Sequence, residues 1–401
     1  MYSQGEVLEF VKEEDVKFIK LAFSDVFGKQ KNVSITDNEL DRAFKTGVAI
    51  DASAIKGFGD EAKSDLFLHP DPSTLAILPW RPEHGRVVRM FCDITYPDGT
   101  PFECDSRLIL KNAVKAAEAK GFSFAFGSEM EFYLFKLDEN GNRTNETYDN
   151  AGYMDVAPED KGENIRREIC LTLEQMGIYP ESSHHEEGAG QNEIDFKYSD
   201  PLTAADDAIT FRQVVSAVAS RNGLYADFSP KPIENAPGNG FHVNFSVKSK
   251  DGKDVLPYSI AGILNRVEEM TVFFNNTENS YKRLGVNKAP KYIAWSKENR
   301  SELIRIPAAE GDNIRAELRS PDPLGNPYIA FALIIYSALC GVSGGEDLPA
   351  PADFNMYTAK EETLKKYKKL PATLSDAKKK AAASEFIAKY LPKAIISAYT
   401  D

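Results

Sequence analysis

Acidic side chains alternate with apolar ones in one stretch of this chain. Residues 124–135 (FAFGSEMEFYLF) are mostly aromatic or aliphatic, contain no proline and carry Glu129 and Glu131, a pattern typical of a β-strand. Because successive side chains of a strand point to opposite faces, the two carboxylates would share one face. Such neighbours repel each other and resist removal from water, so they need cations between them. An edge strand with a hydrated face explains this stretch equally well on its own.

Three further strand-like segments repeat the two-residue spacing of polar groups. They carry Glu193 with Asp195, His242 with Asn244 and Ser246, and Glu317 with Arg319, and Glu186 lies in a loop just ahead of the first pair. If these strands are neighbours, five glutamates and one histidine converge on one concave face. Oxygen ligands with a single imidazole suit Mg²⁺ or Mn²⁺ and suit zinc poorly. The acids therefore predict two or three divalent ions, of the kind that clamp nucleotide phosphates during phosphoryl transfer.

Arginines near these acids predict partners for phosphate or carboxylate oxygens, since the guanidinium fork binds both and stabilises charge on a transferring phosphoryl group. A surface ion pair is the alternative for any single one of them. The chain has no GxxxxGK[ST] motif and no GxGxxG between a strand and a helix, so ATP would bind through metals and arginines. The substrate does not follow from these residues. The five arginines are Arg283, Arg300, Arg305, Arg315 and Arg319.

The elements that must position these groups form an α+β pattern. Residues 1 to about 100 are predicted to be a small α+β domain that ends at the turn 97–101 (PDGTP), and helices alternate with strands from about residue 105. Residues 143–159 are predicted to be a polar loop, and the apolar run 329–342 is too short to span a bilayer and predicts a buried helix. Other predicted elements are strands at 228–233, 241–247 and 316–319, and helices at 106–120, 164–176, 202–221, 256–276 and 372–391.

Composition excludes several partners. The net charge of −13 argues against nucleic acid, because phosphate backbones bind basic surfaces. The four cysteines show no CxxC spacing, so neither a zinc site nor a disulfide framework is indicated, and a reducing compartment is expected. The first residues lack the basic and apolar regions of a secretion signal. We therefore expect a cytoplasmic protein with no membrane partner.

Seven segments, in order along nearly the whole chain, resemble the glutamine synthetase family. They are residues 51–58 (DASAIKGF), 127–132 (GSEMEF), 184–193 (HHE and GQNE), 238–242 (GNGFH), 279–284 (NSYKRL), 299–307 (NRSELIRIP) and 317–323 (ELRSPDP). The resemblance implies an N-terminal β-grasp-like domain, 1–102, and a catalytic domain, 103–401, whose antiparallel strands form a funnel surrounded by helices. It also implies a ring-shaped homo-oligomer, taken as a double-ring dodecamer, with active sites between subunits.

The family makes γ-glutamyl phosphate from ATP and L-glutamate and lets ammonia displace the phosphate to give glutamine. By resemblance, Glu131, Glu186 and Glu193 would hold one Mg²⁺ or Mn²⁺, and Glu129, His242 and Glu317 another. A third ion would bridge the phosphates. Nucleotide contacts would come from Glu181, Asn244 and Ser246, and phosphate contacts from Arg300, Arg305 and Arg315.

The substrate contacts are implied in the same way. Arg283 and Arg319 would hold the carboxylates of glutamate, beside Glu131, with the Gly238 backbone near the amino group. Asp51, supplied by the neighbouring subunit, would form an ammonium pocket with Tyr153 and Glu186. Catalytic roles would therefore fall to Asp51, Glu186, Arg300 and Arg305.

Two of the departures from the family pattern concern the glutamate and ammonia ends of the site. The flap between Arg283 and Ala289 usually carries a glutamate, but here Lys288 stands there, and a cation would repel ammonium. Pro237 replaces an asparagine that binds glutamate. Both changes favour an alternative in which an organic amine, or a glutamate-like acid, is the substrate. A weakly active regulatory homologue is a further alternative, against which all six metal ligands argue. The acceptor, the subunit number, the metal and the mode of regulation stay open.

Overall fold

The computed structural model of the chain describes residues 2–59, 62, 64–81 and 84–401 and contains two β-sheets. Within that part of the chain the first sheet has six strands in the order β2-β1-β6-β4-β3, with β5 beside β6. Two helices accompany it. The bounds are α1 Gln4–Glu13, β1 Val16–Ser24, β2 Gln30–Thr36, α2 Leu40–Thr46, β3 Val48–Asp51, β4 Asp65–Pro70, β5 Ala76–Ile77 and β6 Arg86–Thr95.

The second sheet lies wholly within residues 84–401, whose backbone is described throughout. Its nine strands run β13-β14-β15-β12-β7-β10-β9, and β11 and β8 also pair with β7. Every pairing is antiparallel except that of β13 with β14. The bounds are β7 Phe122–Leu137, β8 Arg143–Thr147, β9 Pro180–His185, β10 Gln191–Ser199, β11 Leu224–Asp227, β12 Phe241–Ser249, β13 Trp295–Lys297, β14 Ile304–Ile306 and β15 Ala316–Leu318.

Helices pack on the side of this sheet opposite to the polar side chains. Apolar residues of α3, α5, α6 and α8 form one core with those of the strands, including Phe126 and Phe331, whose rings stack at 4.3 Å. The predicted α+β class with an antiparallel sheet surrounded by helices is therefore confirmed. The helices of residues 84–401 are α3 Ser106–Ala119, α4 Glu163–Gln175, α5 Pro201–Arg221, α6 Leu256–Phe274, α7 Glu278–Arg283, α8 Pro327–Gly344, α9 Glu361–Leu364, α10 Leu374–Ala382, α11 Glu385–Tyr390 and α12 Lys393–Thr400.

Helix α8 lies at the centre of that core. Among the described residues it is the one helix long and apolar enough to cross a membrane, yet 78% of it is buried inside the fold. Its first turn has Pro327, and the Asn326 side chain accepts the Tyr328 N–H, both of which favour a helix start. The prediction of a buried helix at 329–342 is confirmed.

Three predicted elements are wrong in detail. Residues 228–233 are not a strand, because Pro230 and Pro232 cannot donate to a ladder; the strand is β11, just before them. The predicted loop at 143–159 begins with β8, which forms a hairpin with β7 across an Asn-Gly turn. The helix predicted at 372–391 is two helices, since Ser384 accepts the Ile387 N–H and starts α11.

One buried arginine connects the first sheet to the helices that pack on the second sheet. Arg107, at the start of α3, has 3% of its side chain exposed. Its guanidinium donates to Asp71 (2.9 Å) and Asp93 (3.0 Å) on the side of the first sheet. It also donates twice to Asp206 of α5, at 3.2 and 3.0 Å. The hydroxyl of Tyr328 donates to the same Asp206 at 2.6 Å, so the cluster reaches α8 as well.

Candidate active site

The strand register of the second sheet arranges the polar side chains in cross-strand rows. One row runs His242–Glu129–Asp195–Ser182 across β12, β7, β10 and β9. The next runs Glu131–Glu193–His184, and a third runs Arg305–Glu317–Asn244 across β14, β15 and β12. Directly opposed residues point to the same face of a sheet. The structure thus brings together the four strand-like segments with alternating polar groups.

The first group of possible metal ligands contains Glu129, His242 and Glu317. One ligand atom of each lies within 4.8 Å of the others. The Nδ1 of His242 is 3.3 Å from Glu129 Oε2 and 3.7 Å from Glu317 Oε1. Burial, aided by the charge of Arg319, lowers the pKa of His242 to about 3, so the imidazole is neutral and can offer a lone pair. Two carboxylates and a neutral imidazole fit a divalent ion.

A second group contains His184, Glu193 and Asp195, again with ligand atoms within 4.8 Å of one another. His184 also lies near Glu186, with its Nδ1 3.9 Å from Glu186 Oε1, and its Nε2 is 3.7 Å from Glu193 Oε1. Glu131, Glu186 and Glu193 line one cavity, so the predicted second ligand set is gathered there. His184 was not predicted, although the alternation of β9 places it on the same face.

Burial and mutual repulsion raise the pKa of several carboxyls in this cavity. The pKa of Glu193 is well above its usual range because of burial and then of Glu131. Burial likewise raises the pKa of Glu186, and burial with the charge of Glu129 raises that of Asp195 to about 6. A crowd of carboxylates that is costly to ionise fits bound cations, because divalent ions compensate the repulsion. The donor set of oxygens and imidazoles is the one that Mg²⁺ and Mn²⁺ accept.

Arginines compensate part of this negative charge. Glu317 has no exposed surface, accepts from Arg305 Nε at 2.5 Å and also accepts from Arg319. Arg315 Nε donates to Asn244 Oδ1 at 3.1 Å, and Asn244 in turn donates to Glu129 at 2.8 Å. These contacts link the arginines to the first group of ligands.

Arg283 is placed differently. Its guanidinium donates to the backbone carbonyls of Ser320 (2.8 Å) and Arg319 (3.2 Å) and is 3% exposed. Neighbouring Gly240 has no room for a side chain, since a Cβ there would lie 2.5 Å from His242 Nε2 and 2.9 Å from Arg283 Nη2. Its N–H donates to Glu131 at 2.7 Å. The glycine therefore permits the close approach of three functional side chains.

A main cavity of about 770 Å³ and an adjoining recess of about 550 Å³ contain most of the predicted site residues. The two share Glu129 and Arg315 in their walls. Glu181, Asn244 and Ser246 lie in the recess. The main cavity is lined by Glu129, Glu131, Tyr153, Glu186, Glu193, Gly238, His242, Arg283, Arg300, Arg305, Arg315 and Arg319.

Asp51 is not brought to this cavity within the chain. It ends β3 in the first sheet, is exposed, and its carboxylate accepts from the N–H (2.9 Å) and hydroxyl (2.7 Å) of Ser53. These bonds lower the pKa of Asp51, which keeps the carboxylate ionised. Asp51 is not among the described residues that line either cavity.

A buried pair that was not predicted anchors the loop of Glu186. His185 is fully buried, its Nε2 lies 2.9 Å from Asp149 Oδ1 and its Nδ1 lies 2.7 Å from the Glu186 carbonyl. The same Asp149 accepts the N–H of Gly190 at 2.9 Å. The pair therefore fixes both ends of the loop that carries Glu186. Sequence alone gives no indication of a contact between positions so far apart.

Lys288 and Pro237, which depart from the family pattern, each form a hydrogen bond in the structure. Lys288 donates to the carboxylate of Glu187, so its charge is compensated and its repulsion of an ammonium ion is reduced. The carbonyl of Pro237 accepts from the hydroxyl of Tyr133 at 2.8 Å. This contact fixes the backbone at Pro237, whose side chain has no hydrogen-bonding group.

Comparisons with known proteins agree over nearly the whole chain. The family described as "Glutamine synthetase, beta-Grasp domain" matches residues 15–97, and "Glutamine synthetase, catalytic domain" matches 103–401. A glutamine synthetase of Clostridium saccharobutylicum is 46% identical over 91% of this chain and 85% of its own length. One of Methanosarcina mazei is 45% identical over 99% and 92%.

Solved structures give the same picture. The structure titled "GmaS/ADP complex-Conformation 1" has a TM-score of 0.88 and 28% identity, covering 98% of this chain and 93% of that one. The glutamine synthetase of Plasmodium falciparum has a TM-score of 0.87, with coverage of 100% and 95%. At 23% identity the latter similarity concerns the fold.

Proposed function

The chain belongs to the glutamine synthetase family, and we infer that it is an ATP-dependent ligase that joins ammonia to the γ-carboxylate of L-glutamate. The seven-motif resemblance is confirmed by these matches, as is the expected glutamate-ammonia ligase class. The observation that carries the inference is the group of Glu129, His242 and Glu317, two of which line the main cavity while buried Glu317 pairs with Arg305 and Arg319 of its wall. The product is glutamine, formed through γ-glutamyl phosphate.

The acid rows support two or three bound Mg²⁺ or Mn²⁺ ions. We propose Glu129, His242 and Glu317 for one, and Glu131, Glu186 and Glu193 for another, with His184 and Asp195 beside the latter. When bound, such ions neutralise phosphate oxygens and make the phosphorus more electrophilic. Asn244 orients Glu129 by donating to it at 2.8 Å.

ATP fits the recess, with Glu181, Asn244 and Ser246 around the nucleoside end. Its phosphates would then point to the main cavity, where Arg300, Arg305 and Arg315 face them. Arginine forks positioned there stabilise the charge that develops on the transferring phosphoryl group. The attacking nucleophile is the γ-carboxylate of glutamate.

Glutamate fits between Arg283 and Arg319, which we propose to bind its carboxylates beside Glu131 and the Gly238 backbone. Arg283 is held in place by two carbonyls, so its guanidinium is oriented before the substrate arrives. Ammonia then displaces phosphate from the acyl carbon. Tyr153 and Glu186 would bind the ammonium ion, and Glu186 or Asp51 would take its proton.

Asp51 lies outside the described walls of the cavity of its own chain, which supports a site completed by a neighbouring subunit. We propose a ring-shaped homo-oligomer, taken as a double-ring dodecamer, with Asp51 reaching the next subunit's ammonium pocket. We also propose a boundary between residues 102 and 103 and a cytoplasmic location. The described cysteines are all free, which suits a reducing compartment.

The proposed function is tested by ADP release from ATP, Mg²⁺ and glutamate, with ammonium compared against a panel of primary amines. We expect fast release with ammonium that depends on glutamate and stops when the divalent ion is chelated. Preference for an amine would move the assignment to a γ-glutamyl amide ligase. Silence with every acceptor would refute the ligase assignment for glutamate.

Mixing two variants tests the shared site. His242→Ala is expected to abolish phosphoryl transfer, and Asp51→Ala to raise the KM for ammonium while nucleotide still binds. If Asp51 serves a neighbouring subunit, assembling the two chains at equal amounts restores both residues in about a quarter of the sites. At ammonium concentrations far below the raised KM of Asp51→Ala, glutamine synthesis by the mixture should therefore exceed that of either parent.

The matched control mixes His242→Ala with Glu129→Ala. Both residues lie in the same ligand group of the same chain, so mixing restores no site and activity stays absent. Equal recovery in the two mixtures, or none in the first, would contradict the placement of Asp51.

A further inference from the structure

The mouth of the main cavity holds a primary ammonium group that belongs to the chain itself. Lys288 extends from the 284–290 loop and its ammonium pairs with the carboxylate of Glu187, on the loop that follows Glu186. Its Nζ also lies 5.9 Å from the ring centroid of Tyr153, within the range of a cation–π contact. All three side chains line the cavity.

The loop that carries Lys288 has a defined backbone conformation. Lys288 and Asn287 adopt left-handed backbone conformations, with φ of 67° and 47°, which non-glycine residues rarely adopt. The loop closes on itself through Gly285 N–H to Ala289 O (3.2 Å), and Tyr357 donates to the same carbonyl at 3.2 Å. The loop thus directs Lys288 toward the cavity.

Glu187 and Tyr153, which contact Lys288 from the other side, are also held by neighbouring groups. The N–H of Glu187 donates to the Glu186 carboxylate at 2.8 Å, so the position of Glu187 is tied to that of Glu186. The ring of Tyr153 stands edge-on to His184, with centroids 5.4 Å apart. A carboxylate beside an aromatic face is the pairing that recognises alkylammonium ions.

We propose that Glu187 and Tyr153 form a subsite for a primary alkylammonium group and that Lys288 fills it, excluding acceptors larger than ammonia. The lysine side chain is itself a primary alkylammonium and serves as the observed occupant. This inference rests on the proposed function, because it names what sets the acceptor of that reaction. Lys288 then acts as a specificity determinant, and its removal admits small primary amines.

The test compares ethylamine with ammonium as acceptors, using ADP release with saturating ATP, Mg²⁺ and glutamate. Lys288→Ala is expected to raise the ratio of kcat/KM for ethylamine over ammonium about tenfold, the effect of one ion pair and one cation–π contact. The double variant Lys288→Ala/Glu187→Gln should lose that gain. Lys291→Ala is the matched control, since Lys291 is an exposed lysine of the same segment and is absent from the described cavity walls.

The double variant distinguishes binding of the amine by Glu187 from a simple gain of room on removal of the lysine side chain. If it keeps the gain of Lys288→Ala, removal of bulk explains the change and the proposal is overturned. A ratio within about twofold of the unmodified enzyme in Lys288→Ala would overturn it as well.

A binding measurement separates this inference from the proposed function. Calorimetric titration of ethylammonium chloride should show affinity for Lys288→Ala about tenfold above that of the double variant. Equal affinities would refute the subsite even in an active ligase. If ADP release fails with every acceptor but the affinities differ as expected, the ligase assignment is wrong and the subsite remains.

Discussion

Replacing Glu317 by alanine is expected to abolish ADP formation and to lower the free energy of unfolding at the same time. Glu317 has no exposed surface and is one of the three groups around the first proposed metal position. It is also the partner of Arg305 (Nε–Oε2 2.5 Å) and Arg319. Without it two nearly buried guanidinium groups stay unpaired, which costs about 3–5 kcal/mol. Loss of the ligand should lower turnover by more than about 100-fold.

Glu317→Gln is the matched control for this variant. Glutamine keeps the volume and an acceptor oxygen for one arginine, so it should recover part of the stability that alanine loses. It lacks the negative charge, so ADP formation should remain severely reduced. Denaturant unfolding gives the first quantity and ADP release the second. Near-normal ADP formation in either variant would remove Glu317 from the metal site.

Replacing Arg107 by alanine is expected to lower the free energy of unfolding by about 3–5 kcal/mol, although the residue lies outside the active site. Asp206, which is 7% exposed, would lose both donated bonds of the guanidinium. Asp71 would lose its 2.9 Å bond as well. Asp93 is nearly half exposed and keeps Lys111 at 2.6 Å, so it contributes little to the loss.

Chemical denaturation of Arg107→Ala and of Arg42→Ala measures this effect. Arg42 also pairs with a carboxylate, that of Glu39 at 2.7 Å, but both side chains are about half exposed. Its removal should therefore cost no more than about 1 kcal/mol. Similar losses in the two variants would show that burial of the Arg107 cluster has no energetic consequence.

The alternation along each strand could be read from the sequence because it is a local property. Glu129 with Glu131 and Glu193 with Asp195 had to share faces once their segments were strands. The order of the strands and the register that opposes Glu193 to Glu131 depend on packing between distant segments. The sequence could therefore predict a common site only on the assumption that these strands are neighbours, and the structure shows that they are.

Residues that act through a distant partner were not predicted. Lys288 could be identified as unusual from its position, but its pairing with Glu187 brings together two loops from different parts of the chain. The sequence therefore indicated repulsion of ammonium where the structure has a compensated charge. His185 and Asp149 were missed for the same reason, since only the fold places them 2.9 Å apart.

During synthesis, strand β7 is made long before strand β15. Strand β12 lies between the two in the sheet. Glu129 leaves the ribosome on the order of ten seconds or more before Glu317, at about 5–20 residues per second. During that interval the nascent acids lack the charges of Arg305 and Arg319, which are also made late. A chain that stops before β15 is thus expected to be devoid of phosphoryl transfer, not merely slow. A functional centre can therefore form only after Arg305, Glu317 and Arg319 have all been synthesised.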